Sequence, residues 1–269
     1  MATTPETTEA EKEAARELTR LAVVGGGFMG SGIAESAAVA ALDVLVREPD
    51  EAALERARER LEASVRKGAK RGKIDDPDGV LGRVRYVTEP DALREAEVII
   101  EAVPEDPDLK RSVFAELAEL ARADAILASN TSSIPIAELA AATPCPDRVV
   151  GLHFFSPVPV MKLVEVVVAL ETSPETVAKA RAVAERLGKT PIQTKDRSGF
   201  VVNMLLIPYL MAAVRMYEEG FASREDIDTG MTLGCGHPMG PLALCDLIGL
   251  DVLYAVGNSL YEEFKRDEY

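Results

Sequence analysis

The segment Leu21–Glu48, LAVVGGGFMGSGIAESAAVAALDVLVRE, decides the fold. Its apolar beginning, Leu21–Val24, predicts a buried strand, and the glycines that follow predict a tight turn. The next residues, Met29–Ala41, are small and apolar at helical spacing, and Asp43–Arg47 returns to a strand pattern. A strand, a glycine-rich turn, a helix and a second strand in this order are typical of a dinucleotide-binding unit.

Three glycines of the turn, Gly25, Gly27 and Gly30, satisfy the pattern G-x-G-x-x-G. The first allows the turn, the second lets the backbone approach a pyrophosphate, and the third lets helix and strand pack closely. Phe28 and Met29 open the helix, whose N-terminal N–H groups would receive the phosphates. We therefore expect these five residues to bind the cofactor.

An acid, Glu48, ends the second strand near the ~20-residue offset at which a carboxylate binds the adenosine ribose. This carboxylate would repel a 2′-phosphate, which favours NAD over NADP. The neighbouring Arg47 leaves NADP open, because an arginine at this place could accept the 2′-phosphate.

Further strands and helices alternate along the chain. The strands are expected at Arg85–Thr88, Val98–Val103, Ala125–Ser129, Val149–Phe154, Val164–Ala169 and Pro191–Thr194, with a long helix at Glu51–Lys70. This alternation predicts an α/β fold with a doubly wound, mostly parallel sheet of the Rossmann type. It follows a flexible leader, Met1–Thr19, and occupies residues 20–197.

From Ser198 onward only helical patterns occur. Helices are expected at Phe200–Glu219, at Arg224–Leu233 and at Pro241–Lys265 with a break near Gly249. The sequence therefore predicts a smaller all-α domain at residues 198–269.

Composition excludes several classes of partner. The formal net charge is −15 and 47% of the residues are hydrophobic. An acidic surface repels nucleic acid and anionic membranes. The N-terminus lacks the pattern of a signal peptide, and the three cysteines have no metal-ligand spacing, so we expect a cytoplasmic protein without a metal site. The uncharged run Ser198–Val214 contains Asn203 and Pro208 and is too short for a membrane span, which favours a buried helix.

His153 lies in the segment GLHFFSPVPVMKLVE, Gly151–Glu165, which ends in a carboxylate. A histidine oriented by a carboxylate is common where a proton moves near neutral pH. A lone histidine in an apolar run more often only packs in the core. Together with a dinucleotide motif, the pair His153 and Glu165 indicates a dehydrogenase.

Five basic residues and no acid lie in the short segment Arg66–Lys73. Two or three of them are explained by a helix C-terminus, where cations complement the helix dipole. Five together also suit an anionic group such as a phosphorylated substrate handle, so both interpretations stay open.

The chain resembles the L-3-hydroxyacyl-CoA dehydrogenase family. The motifs that carry this resemblance are GGGFMGSGIA (25–34), EAVPEDPDLK (101–110), SNTSSIPI (129–136), GLHFFSPVPVMKLVEVV (151–167), KDRSGFVVNMLLIPYLMAA (195–213) and EDIDTGMTLGCGHPMGPLALCDLIGLDV (225–252). The resemblance implies NAD-dependent oxidation of a short-chain 3-hydroxyacyl-CoA, as in fatty acid β-oxidation, by a homodimer paired through its helical domain.

The resemblance also implies roles for individual residues. His153 would be the catalytic base and Glu165 its orienting partner, while Ser132 and Asn203 would contact the substrate. The cofactor would be contacted by Glu105, Lys110 and Asn130. Coenzyme A would be contacted by Ser64 and Arg71, and we add Lys70 from the basic segment Arg66–Lys73.

Two departures and two alternatives accompany the resemblance. Ala41-Leu42-Asp43 stands where the family usually has a glycine before the second strand, and the chain ends short of the typical family end, which puts dimer stability in doubt. The scaffold also suits a dehydrogenase of free hydroxy or sugar acids. A non-catalytic, crystallin-like NAD-binding protein is the other alternative.

Overall fold

The computed structural model describes residues 18–269, which divide between Asp196 and Arg197 into a sheet unit and a helical unit. The division falls next to the predicted domain boundary. Of the predicted leader, only Leu18 and Thr19 lie within the described residues.

The sheet unit contains one eight-stranded sheet in the order β3-β2-β1-β4-β5-β6-β7-β8. The strands are β1 (Arg20–Val24), β2 (Asp43–Arg47), β3 (Val84–Val87), β4 (Val98–Glu101), β5 (Ile126–Ser129), β6 (Val149–Phe154), β7 (Leu163–Val168) and β8 (Thr190–Lys195). Every neighbouring pair is parallel except β6 and β7, which are antiparallel. The predicted fold class is confirmed.

Helices connect the strands. They are α1 (Phe28–Val39), α2 (Glu51–Lys70), α3 (Pro77–Gly82), α4 (Pro107–Leu120), α5 (Ile136–Ala141) and α6 (Pro174–Arg186). The long α2 has the predicted bounds. It begins after Asp50, whose carboxylate accepts a hydrogen bond from the N–H of Ala53 at 2.8 Å, as an N-cap residue does. It buries the apolar stripe Leu54, Ala57 and Leu61.

The turn between α1 and β2 departs from ordinary backbone geometry. Ala41 has a φ of +62°, which is the left-handed region, and its side chain is exposed. A residue with a Cβ pays about 1–2 kcal/mol in this conformation, whereas glycine does not. The departure noted in the sequence is therefore a strained turn.

The helical unit contains α7 (Val202–Glu218), α8 (Arg224–Thr229), α9 (Pro241–Ile248) and α10 (Leu250–Phe264). The predicted helix Arg224–Leu233 is present over its whole length but changes type, because α8 ends at Thr229 and a π-helical turn covers Gly230–Gly234. Two glycines in this stretch lower its helix propensity. The predicted break near Gly249 is confirmed, with a φ of +102°.

The core of this unit packs α7 against α9 and α10. Its buried members are Ile207, Leu210, Cys245, Leu253 and Leu260. Among the described residues, no single helix has the length and apolar character of a membrane span. The pair α9 and α10, bent by 98°, reaches that length and composition only when taken together.

Candidate active site

The glycine turn joins β1 to α1, and its glycines differ in what surrounds them. Gly25 has a φ of +97°, and a Cβ there would lie 2.7 Å from the carbonyl oxygen of Ala102. A Cβ on Gly30 would lie 1.8 Å from the carbonyl oxygen of Gly25. No atom lies within 4 Å of the corresponding position at Gly27. The turn, the close packing and the open approach predicted for these glycines are thus each present.

The N-terminus of α1 fits a pyrophosphate. Gly27 is its N-cap residue and supplies no side chain to cap the first turn. The N–H groups of that turn therefore have no side-chain cap from Gly27, and uncapped N–H groups at a helix N-terminus bind phosphate in dinucleotide folds. Phe28 is 64% exposed at this end of the helix and Met29 is half-buried.

Glu48 lies beside the glycine turn, as predicted. Its Oε1 accepts a hydrogen bond from the N–H of Gly26 at 2.6 Å. A Cβ on Gly26 would lie 2.5 Å from Cβ of Ala57, so glycine is also required for space at this position, which the motif did not predict. The only sequence signal for it was the uninterrupted run of three glycines.

Arg47 is turned toward another partner. Its guanidinium pairs with the carboxylate of Glu116 on α4 at 3.4 Å. This pairing removes the reason for expecting Arg47 to accept a 2′-phosphate. With Glu48 as the acid beside the turn, the geometry favours a cofactor with a ribose 2′-hydroxyl.

His153 and Glu165 face each other across the two antiparallel strands. They are directly paired in the register of β6 and β7, and Nδ1 of His153 lies 2.7 Å from Oε2 of Glu165. The side chain of His153 is 8% exposed and that of Glu165 is 0% exposed. The carboxylate therefore fixes the imidazole orientation and favours a proton on Nδ1, so Nε2 is the nitrogen suited to proton transfer. The predicted partnership of the two side chains is present.

Ser132 lies in the loop that follows β5. Its N–H donates to Oε1 of Glu105 at 2.9 Å, and its hydroxyl lies 3.4 Å from the same oxygen. Asn130, in the same loop, uses its side-chain oxygen to accept from the N–H of Phe154 at 2.9 Å. Because Phe154 follows His153, Asn130 ties this loop to the histidine strand. Its contact with a cofactor stays a prediction.

Glu105 and Lys110 lie together at the start of α4. Nζ of Lys110 is 3.1 Å from Oε2 of Glu105 and 2.7 Å from Oε1 of Glu101. Burial raises the pKa of Glu105, but the charge of Lys110 and the hydrogen bonds from Thr131 and Ser132 outweigh it and lower that pKa overall. The Lys110 side chain is only 1% exposed and pairs with these two carboxylates, and its contact with a cofactor stays a prediction.

Asn203 belongs to the helical unit, where it lies in the first turn of α7 and is half-buried. Its contact with a substrate held by His153 remains a prediction.

A cavity of about 380 Å³ opens in the sheet unit. Its charged or hydroxyl-bearing lining residues are Glu35, Ser36, Ser64, Lys67, Arg71, Lys73, Lys162 and Lys189. Five cations against one acid make it suited to an anion. The predicted residues Ser64 and Arg71 line this cavity. Lys70 is exposed at the end of α2 and lies outside the lining, so its contact with coenzyme A stays a prediction.

The cavity also contains residues that the sequence did not single out. Lys189 donates to the carbonyl oxygens of Val158 and Met161 at 2.5 and 3.0 Å, which fixes the loop after β6. Burial raises the pKa of Glu35, opposed by a hydrogen bond from Ser64 and the charge of Lys189. Both residues are far in sequence from the basic segment, so only the fold brings them to it.

Among residues 18–269, no group of three or more histidine, cysteine or acidic side chains is arranged to hold a metal ion.

Comparison with known proteins covers both units. The family model described as the NAD binding domain of 3-hydroxyacyl-CoA dehydrogenase matches residues 20–197, and the C-terminal domain model of the same family matches residues 199–269. The chain is 48% identical to a 3-hydroxybutyryl-CoA dehydrogenase of Mycobacterium tuberculosis over 94% of this chain and 90% of that protein.

Two solved structures are similar in fold as well. The crystal structure of M. tuberculosis FadB2 has a TM-score of 0.92 and 48% identity, covering 94% of this chain and 90% of that chain. The crystal structure of (S)-3-hydroxybutyryl-CoA dehydrogenase PaaH1 from Ralstonia eutropha has a TM-score of 0.90 and 42% identity, with the same coverage of both chains.

Proposed function

Because this chain belongs to the 3-hydroxyacyl-CoA dehydrogenase family, we propose that it interconverts a short-chain L-3-hydroxyacyl-CoA and the 3-oxoacyl-CoA with NAD, using His153 and Glu165 to move the proton. The observation that carries the proposal is the buried 2.7 Å contact between these two side chains, in the same unit as the glycine turn.

The cofactor would be held by the open face of Gly27 and the N-terminus of α1, with Glu48 at its adenosine ribose. NAD supplies the hydride acceptor when it is bound. In the direction of oxidation, Nε2 of His153 takes the proton of the 3-hydroxyl, and Glu165 stabilises the imidazolium that forms. Ser132 donates a hydrogen bond to the oxygen that becomes the carbonyl.

The coenzyme A handle would bind in the cavity of the sheet unit. Its phosphates are anionic, and Lys67, Arg71 and Lys73 line the cavity beside Ser64. Cations on a cavity wall attract and orient such a ligand without contacting the reacting atoms. The phosphates of coenzyme A would thus be the anionic group for which the basic segment Arg66–Lys73 is suited.

We further propose that two copies pair through their helical units. The large hydrophobic residues exposed there are Leu205, Met216, Tyr217, Phe221, Leu233, Met239, Leu247, Leu250, Val252, Tyr254 and Tyr261. Burial of exposed apolar side chains such as these between two copies would favour pairing.

The function is tested by following NADH oxidation with acetoacetyl-CoA, with NADPH and free acetoacetate in parallel assays. We expect turnover of the thioester with NADH, weaker turnover with NADPH, and little turnover of the free acid. Equal rates with acetoacetate would overturn the thioester assignment. If NADH binds but no 3-oxoacyl-CoA is reduced, the crystallin-like alternative is favoured.

The base is tested with His153→Gln, which keeps the size and polarity of the side chain. We expect turnover to be abolished while NADH still binds. A variant with a near-normal rate would show that another group moves the proton.

A further inference from the structure

A buried carboxylate, Glu101, lies at the end of β4, one strand away from the substrate-contacting loop. Its side chain is 0% exposed, and none of the roles above includes it. Three donors use its two oxygens: the N–H of Val103 at 2.7 Å, Nζ of Lys110 at 2.7 Å and the hydroxyl of Ser129 at 2.6 Å. A buried charge with this many short hydrogen bonds is fixed in one position.

One route from Glu101 to the loop passes through Ser129. The Ser129 hydroxyl donates to Oε2 of Glu101 and accepts from the N–H of Thr131 at 3.2 Å. Both Ser129 and Thr131 are 0% exposed, so water cannot replace either hydrogen bond. The direction of the Ser129 hydroxyl, and with it the start of the loop, is set by the carboxylate.

The second route passes through Lys110 and Glu105. Lys110 is shared by the two carboxylates, and Oε1 of Glu105 accepts from the hydroxyl of Thr131 at 2.6 Å and from the N–H of Ser132 at 2.9 Å. Without Glu101, the buried lysine would have one acidic partner and would be drawn toward Glu105. The two routes therefore converge on Thr131 and Ser132.

We infer that Glu101 is a positioning residue for Ser132. It acts through Ser129 and through the Lys110–Glu105 pair to hold the loop where the Ser132 hydroxyl meets the oxygen of the substrate. The inference rests on the proposed function, because Ser132 has its role only if a 3-hydroxyacyl substrate is bound. The requirement is geometric: a displacement of about 1 Å of a contacting group costs up to ~100-fold in rate.

The test is the double-mutant pair Glu101→Gln and Ser132→Ala, assayed with acetoacetyl-CoA and NADH. Glutamine keeps the size of the side chain but cannot accept from both Lys110 and Ser129. We expect E101Q to lower kcat by about 10- to 100-fold in the wild-type background. In the S132A background it should lower kcat no further, because residues that act through one another are not additive.

Two outcomes overturn the inference. One is a folded E101Q variant with wild-type kcat. The other is an E101Q effect of the same size with and without the Ser132 hydroxyl, which is the result of a purely structural role. Absence of turnover in the unmutated protein would instead contradict the proposed function. Failure of the inference and failure of the proposed function are therefore distinguishable.

Controls separate this effect from loss of charge or of folding. Glu95→Gln makes the same change of charge at an exposed acid that pairs with Arg20 and Arg85, and should leave kcat unchanged. If E101Q does not fold, Ser129→Ala removes one hydroxyl from the first route and is used instead. S129A should lower kcat several-fold in the wild-type background and should lower it no further in the S132A background. A wild-type kcat for S129A overturns the inference.

Discussion

Replacing Glu165 by glutamine tests the central chemical assignment. The substitution keeps the shape of the side chain and a hydrogen-bonding oxygen at a site where the carboxylate is 0% exposed and 2.7 Å from Nδ1 of His153. What it removes is the negative charge that faces the imidazolium when the histidine holds a proton.

The expected loss follows from this burial. Removing one partner of a buried, hydrogen-bonded ion pair costs about 3–5 kcal/mol. Each ~1.36 kcal/mol in the activation barrier is a factor of ten in rate. If the pair is charged mainly in the transition state, E165Q should lower kcat by about 10²- to 10⁴-fold, with little change in NADH affinity.

The assay is steady-state reduction of acetoacetyl-CoA, with NADH binding measured separately. Glu171→Gln, which changes an exposed acid soon after the same strand, is the matched control. E165Q added to H153Q should lower the rate no further, since the two act as one unit. A rate for E165Q within about three-fold of wild type would mean that the carboxylate does not stabilise a charged imidazole in the transition state, and the assignment of Glu165 as the partner of the base would fail.

Three further predictions concern the cavity, a buried acid and a strained turn. The double variant Arg71→Ala, Lys73→Ala should raise KM for acetoacetyl-CoA about ten-fold, because each exposed cation contributes roughly 0.5–1 kcal/mol to binding. Lys70→Ala should leave KM unchanged, because Lys70 lies outside the lining of the cavity. An equal rise of KM in the two variants would mean that the cavity is not part of the substrate site. Burial raises the pKa of Glu35, so the folded state favours its neutral form and loses stability as pH rises from the ordinary value of 4.5 through the raised pKa. Glu35→Gln should therefore raise the melting temperature at pH 7, and this increase should disappear near pH 4. Thermal unfolding of both proteins between pH 4 and pH 7 measures it. A difference in melting temperature that does not change with pH would contradict this reasoning. Ala41→Gly should relieve the strain of the left-handed conformation, although glycine also gives the unfolded chain more conformational freedom. The net increase in the free energy of unfolding, measured by chemical denaturation, should be about 0.5–1 kcal/mol. A loss of stability would mean that the turn is not strained.

Much of the fold could be predicted because its signals are local. The bounds of β2, β6 and α2 follow from apolar runs and from Asp50 as a cap, and the structure reproduces them. The sequence pattern predicted the helix at Arg224–Leu233 but not its change of type. Helical periodicity continues through Gly230 and Gly234, but the backbone there adopts a wider turn.

The site was less predictable because it depends on side-chain partners that are distant in sequence. Arg47 is next to Glu48 in the sequence. Only the tertiary structure shows that the Arg47 guanidinium pairs with the carboxylate of Glu116. Lys70 and Arg71 are neighbours in one basic segment, but they lie at the end of α2 where only Arg71 turns to the cavity. Nothing in the segment VIIE, Val98–Glu101, showed that its last residue would hold a buried lysine.

The sequence by itself determined the class of sheet, the glycine turn and the presence of a histidine and a carboxylate in one segment. These are properties of residue type and short-range spacing, and they survive any arrangement of the distant parts. Tertiary structure decided which groups meet: the antiparallel register of β6 and β7 places His153 opposite Glu165, and the parallel order of β4 and β5 brings Glu101 to Ser129. The physical reason is that strand pairing sets side-chain distances across the sheet, and a shift of one residue would turn His153 away from its carboxylate.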